Sequence, residues 1–330
     1  MALTALNPAT GETIAEYPET TSGEVRDAIR RAHQLHLDWK KTPFPHRAGL
    51  MAKAAGILRA RSREFGELMT AEMGKPVMGG VAEAEKCAWV CDYYAQEAER
   101  VLADQEVESD ASRSFVTFQP IGVVLAVMPW NFPFWQVFRF AAPNLMAGNA
   151  GLLKHASNVP GCALAIEEVF LEAGFPDGLF KSLLIPGSRV DKVIEDPLVR
   201  AVTLTGSTPA GQAVAAKAGA ELKKTVLELG GSDPYVILED ADLHAAATVC
   251  ATARLINSGQ SCIAAKRFIV VDSVREEFEK LFVAAMAGTK MGDPMEEDTV
   301  VGPQAREDLR DELHDQVVRS MEAGARCVLG

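Results

Sequence analysis

The chain has 330 residues, of which 45 are acidic and 33 basic, giving a formal net charge of −12, with 48% apolar and 24% charged residues. Single cores stop growing at about 250–300 residues, so this length predicts two domains, and the apolar share predicts a packed globular protein. The acidic balance, with no basic block against it, repels phosphate backbones and anionic lipid, so neither nucleic acid nor a membrane is expected as a partner.

The N-terminal stretch lacks the basic and apolar regions of a secretory signal, and no apolar run reaches the length of a membrane span. The six cysteines, at 87, 91, 162, 250, 262 and 327, lack zinc-site spacing. They read as reduced thiols of a cytoplasmic protein without a bound metal. Cys87 and Cys91, four apart in an apolar helical stretch, read as core.

The first hundred residues are expected to be helical. Thr21 and Glu24 form a candidate capping box ahead of Val25, Ala28, Ala32, Leu35 and Trp39 at helical spacing, and further helices follow over about 46–73 and 79–102. The polar, alternating segment 106–120 predicts an exposed β arm. From there short apolar runs alternate with helical stretches: strands over 121–129, 151–155, 182–185, 201–205 and 225–229, with helices near 135–148, 159–174, 188–195 and 208–219. This is the pattern of an α/β fold with a doubly wound parallel sheet. Ligands of such sheets sit beyond the carboxyl ends of the strands, where Trp130, Asn131, Lys154, Gly206, Ser207, Gly230 and Gly231 fall. A turn-rich break at 231–234 starts a second set: a strand near 235–238, a helix over 242–256, a strand at 265–271, and helices near 274–288 and 305–322. A domain boundary is expected close to residue 230.

Several residues could carry chemistry. Cys262 follows Asn257, Ser258, Gly259, Gln260 and Ser261 in a small, polar loop where a thiol is reachable; alone, it reads equally as an inert cysteine. Glu228 ends an otherwise apolar strand before two glycines, as a general base held in a part-buried place or as an acid paired with Lys223 or Lys224. Asn131 lies in a loop stiffened by Pro129 and Pro133, as an oxyanion donor or as an amide satisfying its own turn. Lys154 ends a strand, where it could meet ribose or phosphate or simply be solvated. Thr205, Gly206, Ser207 and Thr208 make a strand-to-helix turn suited to a pyrophosphate or to plain capping, and no G-x-G-x-x-G or Walker motif occurs.

In order and context these residues resemble the aldehyde dehydrogenase superfamily. The likeness runs over essentially the whole chain, from NPATGE (7–12) through PWNFP (129–133), LTGS (204–207) and LELGG (227–231) to GQSC (259–262) and GDP (292–294). It implies a Cys262 nucleophile, an oxyanion held by Asn131 and the Cys262 backbone N–H, and Glu228 as general base. It also implies a dinucleotide contacted by Pro129, Trp130, Lys154, Ser157, Gly206, Ser207, Leu229 and Gly230. Members that prefer NAD commonly carry a glutamate three residues after the lysine; here Ser157 stands there, which implies NADP or dual NADP and NAD use.

The stretches around 119–133, 153–161 and 259–270 are most like the succinate-semialdehyde branch, in which an arginine at the position of Arg139 binds the substrate carboxylate. A second arginine of some members is replaced by Ile256, with Arg254 nearby on the helix. The implied organisation is 1–105 and 121–229 as a dinucleotide-binding domain, 106–120 as an oligomerisation arm and 230–330 as the nucleophile domain, in a homodimer or homotetramer. Family members continue past Gly330 with an E-x-F-G-P segment and further strands, so the likeness also implies a C-terminally incomplete chain. That leaves open a non-catalytic dinucleotide-binding paralogue, or an aldehyde specificity of another kind.

Overall fold

The computed structural model describes residues 2–330. Its first element corrects the expectation of helices alone: β1 (Ala2–Leu6) pairs antiparallel with β2 (Thr13–Pro18). Asn7 Oδ1 closes the intervening turn on Ala9 N at 2.9 Å, and Gly11 completes it at φ +75°. Local side-chain bonding of this kind lets a short hairpin form without a strong apolar alternation.

Four helices follow. α1 (Ser22–Trp39) begins with the expected capping box, Thr21 Oγ1 accepting from Glu24 N at 3.2 Å and Glu24 Oε2 from Thr21 N at 2.7 Å. The stretch read as one helix over 46–73 is two, α2 (Phe44–Ala60) and α3 (Ser62–Met73), because Arg61 between them leaves helical geometry at φ −108° and ψ 17°. α4 (Val77–Val101) packs across both. Within the predicted arm, β3 (Gln105–Glu106) and β4 (Phe115–Val116) form a short, exposed antiparallel pair.

The sheet is built from β5 (Val123–Met128), β6 (Ala150–His155), β7 (Phe180–Ser182), β8 (Val199–Thr205) and β9 (Lys224–Glu228), all parallel in the order β7-β6-β5-β8-β9. The connecting helices are α5 (Trp135–Met146), α6 (Pro160–Ala173), α7 (Val190–Glu195) and α8 (Thr208–Ala220). The strand expected at 182–185 lies slightly earlier. From β5 the chain steps outward through β6 and β7, then returns to the other side of β5 as β8. The strand order therefore reverses between β5 and β8, and a doubly wound sheet leaves a ligand crevice there. Valines, leucines and alanines bury β5 and β6 on both faces, as strands covered by helices require.

The remaining elements are β10 (Pro234–Ile237), α9 (Leu243–Leu255), β11 (Arg267–Val270), α10 (Arg275–Ala287) and α11 (Glu307–Glu322). β10 and β11 pair parallel. Ile237, Ala247, Cys250 and Phe278 make a small core there, separate from the large one, which runs from Val25 to Ala218 and takes in Ala305. Among the described residues no helix is long and apolar enough to cross a membrane.

Candidate active site

Two loops meet at the point where the strand order reverses. The first leaves β5 as Pro129, Trp130, Asn131, Phe132 and Pro133. The second leaves α9 and carries Cys262. Its approach is conformationally costly: Asn257 and Ser258 take φ +54° and +55°, and Gly259 follows at +76°. A side-chain-bearing residue in that region costs on the order of 1–3 kcal/mol and persists only where its surroundings hold it.

Here they do. Asn257 Nδ2 donates to Asn131 O at 2.7 Å and to Gln260 O at 3.2 Å, and Ser258 Oγ accepts from Gly302 N at 2.9 Å. Arg254 donates to Gly259 O at 2.6 Å and Ala265 O at 2.9 Å. The Lys266 ammonium donates to three carbonyls at once, Ser261 at 3.2 Å, Cys262 at 2.9 Å and Ala264 at 3.2 Å. With the backbone on both sides of Cys262 fixed, the thiol itself stays partly exposed.

Burial sorts the thiols. Cys87, Cys91, Cys162 and Cys250 are buried, and desolvation pushes each above the ordinary thiol range, against thiolate formation. Cys262 and Cys327 are the reachable ones, and of these two Cys262 lines the cavity between the loops.

That cavity, of about 780 Å³, brings together most of the residues singled out in the sequence. Pro129, Trp130 and Asn131 line it from β5, Gly206 and Ser207 from β8, Leu229 and Gly230 from β9, and Cys262 from the opposite side. Asn131 Nδ2 donates one hydrogen to Gln260 O at 3.0 Å. The amide has two, and the second has no acceptor among the described residues. Ser207 caps α8, its Oγ accepting from Ala210 N at 3.4 Å, so the start of that helix faces the crevice.

Lys154 and Ser157 are not on the lining of this cavity. Lys154, at the end of β6, is 8% exposed, and its Nζ has no hydrogen-bond partner among the described residues. Desolvation lowers its pKa. Ser157 is exposed.

Glu228 and Arg139 line a second cleft of about 530 Å³, with Thr205 common to both spaces. The expectation of a half-buried Glu228 paired with Lys223 or Lys224 is corrected. Its side chain is 58% exposed, and its partner is Arg139, with Nη1 4.0 Å from Oε2. The cause is the period of the strand: Leu227 and Leu229 turn into the core, which leaves Glu228 with Val226 and Lys224 on the other face. Arg139 also donates to Thr205 Oγ1 at 3.2 Å, while Lys223 Nζ is bound to Asp196 O at 2.6 Å. Arg254 lines the main cavity but is committed to backbone carbonyls, and Ile256 is exposed.

Sequence reasoning missed the residues that hold the two loops. Besides Asn257 and Lys266, a buried Lys75–Glu83 ion pair lies under the Asn131 loop. Glu83 Oε1 accepts from Phe134 N and Trp135 N, each at 2.9 Å, and Lys75 Nζ sits 4.1 Å from the centre of the Phe132 ring. The available signal was Glu83 itself, a charge at a helical position otherwise shared by Ala84, Cys87 and Cys91.

The family model described as Aldehyde dehydrogenase family matches residues 2–330. A probable succinate-semialdehyde dehydrogenase [NADP(+)] of Synechocystis is 52% identical over 330 residues, covering 100% of this chain and 73% of that protein. A succinate-semialdehyde dehydrogenase [NADP(+)] 1 of Mycobacterium tuberculosis is 51% identical, covering 99% and 73% respectively. Among solved structures, succinic semialdehyde dehydrogenase from Streptococcus pyogenes in complex with NADP+ superimposes with a TM-score of 0.97 at 38% identity, over 100% of this chain and 72% of that one.

Proposed function

Since the chain belongs to the aldehyde dehydrogenase family, we propose that it oxidises succinate semialdehyde to succinate with NADP, accepting NAD as well, through Cys262. The observation that carries this reading is the placement of Cys262 and Asn131 on one cavity at the point where the strand order reverses. The relatives and solved neighbour with that substrate and cofactor in their names support it further.

The residues present fit a dinucleotide. Lys154, largely buried and with no hydrogen-bond partner for its ammonium among the described residues, offers that ammonium to ribose or phosphate, and Gly206 and Ser207 present the start of α8 to a pyrophosphate. The exposed, uncharged Ser157 leaves room for a 2′-phosphate. Pro129, Trp130, Leu229 and Gly230 would wall the nicotinamide end. When bound, the cofactor supplies the hydride acceptor.

The Cys262 thiolate adds to the aldehyde carbon, converting the carbonyl π pair into an alkoxide. The free Asn131 N–H and the Cys262 N–H stabilise that charge. Collapse of the alkoxide expels hydride from the same carbon and leaves a thioester on Cys262. Glu228 takes a proton from water, the resulting hydroxide attacks the thioester, and the C–S bond breaks to leave thiolate and the carboxylic acid, which gives its proton to solvent and departs as carboxylate. Arg139, on the cleft adjoining at Thr205, would bind the distal carboxylate of the substrate through its planar fork. Its contact with Glu228 is exposed and hence weak.

We assign 1–105 and 121–229 to the dinucleotide-binding domain, 230–330 to the nucleophile domain and 106–120 to an arm that joins copies into a homodimer or homotetramer in the cytoplasm. The exposed Phe115, Val116 and Phe118 of that arm support the last point. Cofactor reduction followed in the near ultraviolet with succinate semialdehyde tests the function. Wild type turns over, Cys262→Ala loses at least about 10³-fold, and Arg139→Ala raises KM for succinate semialdehyde but not for an uncharged aldehyde. Turnover that survives Cys262→Ala, or none in wild type with any aldehyde, refutes the reading.

A further inference from the structure

His155 closes β6 one residue after Lys154 and is buried. Its ring crosses to the loop that leaves the adjacent strand. Nε2 lies 2.9 Å from Pro133 O, and Nδ1 lies 2.9 Å from Ala156 N. A backbone N–H can only donate, so Nδ1 is the acceptor and the ring proton sits on Nε2, donated to Pro133 O. Met128 O, 3.3 Å from Nδ1, then faces a lone pair and gains no bond. Burial favours the neutral ring, pushing its pKa down to about 4, and the adjacent Lys154 charge acts in the same direction.

The loop on the receiving end is also held at other points: Asn131 Nδ2 donates to Gln260 O at 3.0 Å, Asn131 Oδ1 accepts from Phe132 N at 3.1 Å and Phe132 O accepts from Gln136 N at 3.0 Å. Pro129 and Pro133 carry no N–H, so Pro133 can be fixed by hydrogen bonding only through its carbonyl, and His155 is the donor found there. Asn257 holds Asn131 O, and Glu83 holds the amides of Phe134 and Trp135. Between those anchors His155 fixes the point two residues beyond the Asn131 amide.

We infer that His155 is a positioning residue for the Asn131 oxyanion donor, its neutral Nε2–H locking Pro133 O and thereby the placement of the Asn131 amide relative to Cys262. The inference rests on the reading of Cys262 and Asn131 as the reacting pair.

His155→Leu removes donor and acceptor at similar bulk, whereas His155→Gln keeps one of each. A displacement of about 1 Å at a catalytic group costs roughly 10²-fold. His155→Leu is therefore expected to lower kcat by about 10- to 100-fold while the Kd for NADP, measured by fluorescence titration, stays within about twofold. His155→Gln is expected to return kcat to within about threefold of wild type. Amide hydrogen exchange read by mass spectrometry over 130–137 should quicken in His155→Leu and recover in His155→Gln, with β8 unchanged in both. The inference is overturned if His155→Leu keeps both kcat and loop exchange, if NADP binding falls as far as turnover, or if His155→Gln is as impaired as His155→Leu. A wild-type chain that turns over no aldehyde would refute the proposed function alone, and the exchange comparison would then decide on the clamp.

Discussion

Lys154 is largely buried, and its ammonium has no acceptor among the described residues, an arrangement that raises its free energy until hydroxyls or an anion arrive. On the proposed reading, the charge three residues further on would decide which cofactor gains from it. With Ser157 exposed and neutral, a 2′-phosphate would on that reading meet the lysine and no opposing carboxylate. Ser157→Glu places a like charge beside that phosphate, worth about 1 kcal/mol or more where water is partly excluded. The ratio of NADP to NAD affinity is predicted to fall at least tenfold, about 1.4 kcal/mol, read as two Kd values by fluorescence titration. An equal loss for both cofactors would place Ser157 away from the 2′ position. Cys262, Asn131 and Lys154 stood out at loop and strand-end positions, each open to an inert reading until the family likeness joined them. The meeting of Arg139 with Glu228 was not legible, since it depends on which face of β9 the helix α5 covers, and strand period alone does not say which face that is.

At the scale of elements, two helices next to the crevice are capped by carboxylates from far along the chain. α5 has no side-chain cap of its own, and Glu83 of α4 accepts from its first amides. At the start of α6, Glu72 of α3 accepts from Gly161 N at 2.8 Å and Cys162 N at 2.9 Å. Both acids are buried, and desolvation raises the pKa of Glu72. Such caps leave no local motif, whereas the Thr21–Glu24 box was visible because both partners lie within four residues. For the same reason the sheet strands could be read from their apolar runs, but the break at Arg61 could not, as neither proline nor glycine marks it. Removing Glu83 would strand Lys75, which is fully enclosed. Glu83→Ala is predicted to cost roughly 3–5 kcal/mol, and Lys75→Met combined with Glu83→Leu distinctly less, because no unpaired charge stays buried. Urea unfolding followed by tryptophan fluorescence measures both; a double variant as unstable as Glu83→Ala would show that the lost caps, rather than the stranded ammonium, dominate.

The whole molecule divides its apolar burial unequally. The large core spans the helices and the five-stranded sheet, while the second is built on Ile237, Ala247, Cys250 and Phe278, with Phe268 and Phe282 packed beside them only partly buried. Stability from burial scales with the apolar area removed from water, and regions with little of it open first. Natural reporters separate the two. Of the four tryptophans, Trp39 lies in the large core and Trp130 and Trp135 pack against it, while Trp89 is exposed; the buried thiols Cys87, Cys91 and Cys162 report on the same core. Cys250 is the buried thiol of the small core. In rising urea, thiol labelling mapped by mass spectrometry is expected to reach Cys262 and Cys327 in the native state and Cys250 next. Cys87, Cys91 and Cys162 should follow last, together with the loss of native tryptophan fluorescence. Labelling of Cys250 in step with those three would mean that the loop contacts between Asn257 and Asn131, and between Asn131 and Gln260, couple the two cores into one cooperative unit. Labelling of Cys250 first would mean that the nucleophile loop rests on the softer of the two, so that cofactor bound against both sides of the crevice should raise the urea concentration at which Cys250 reacts.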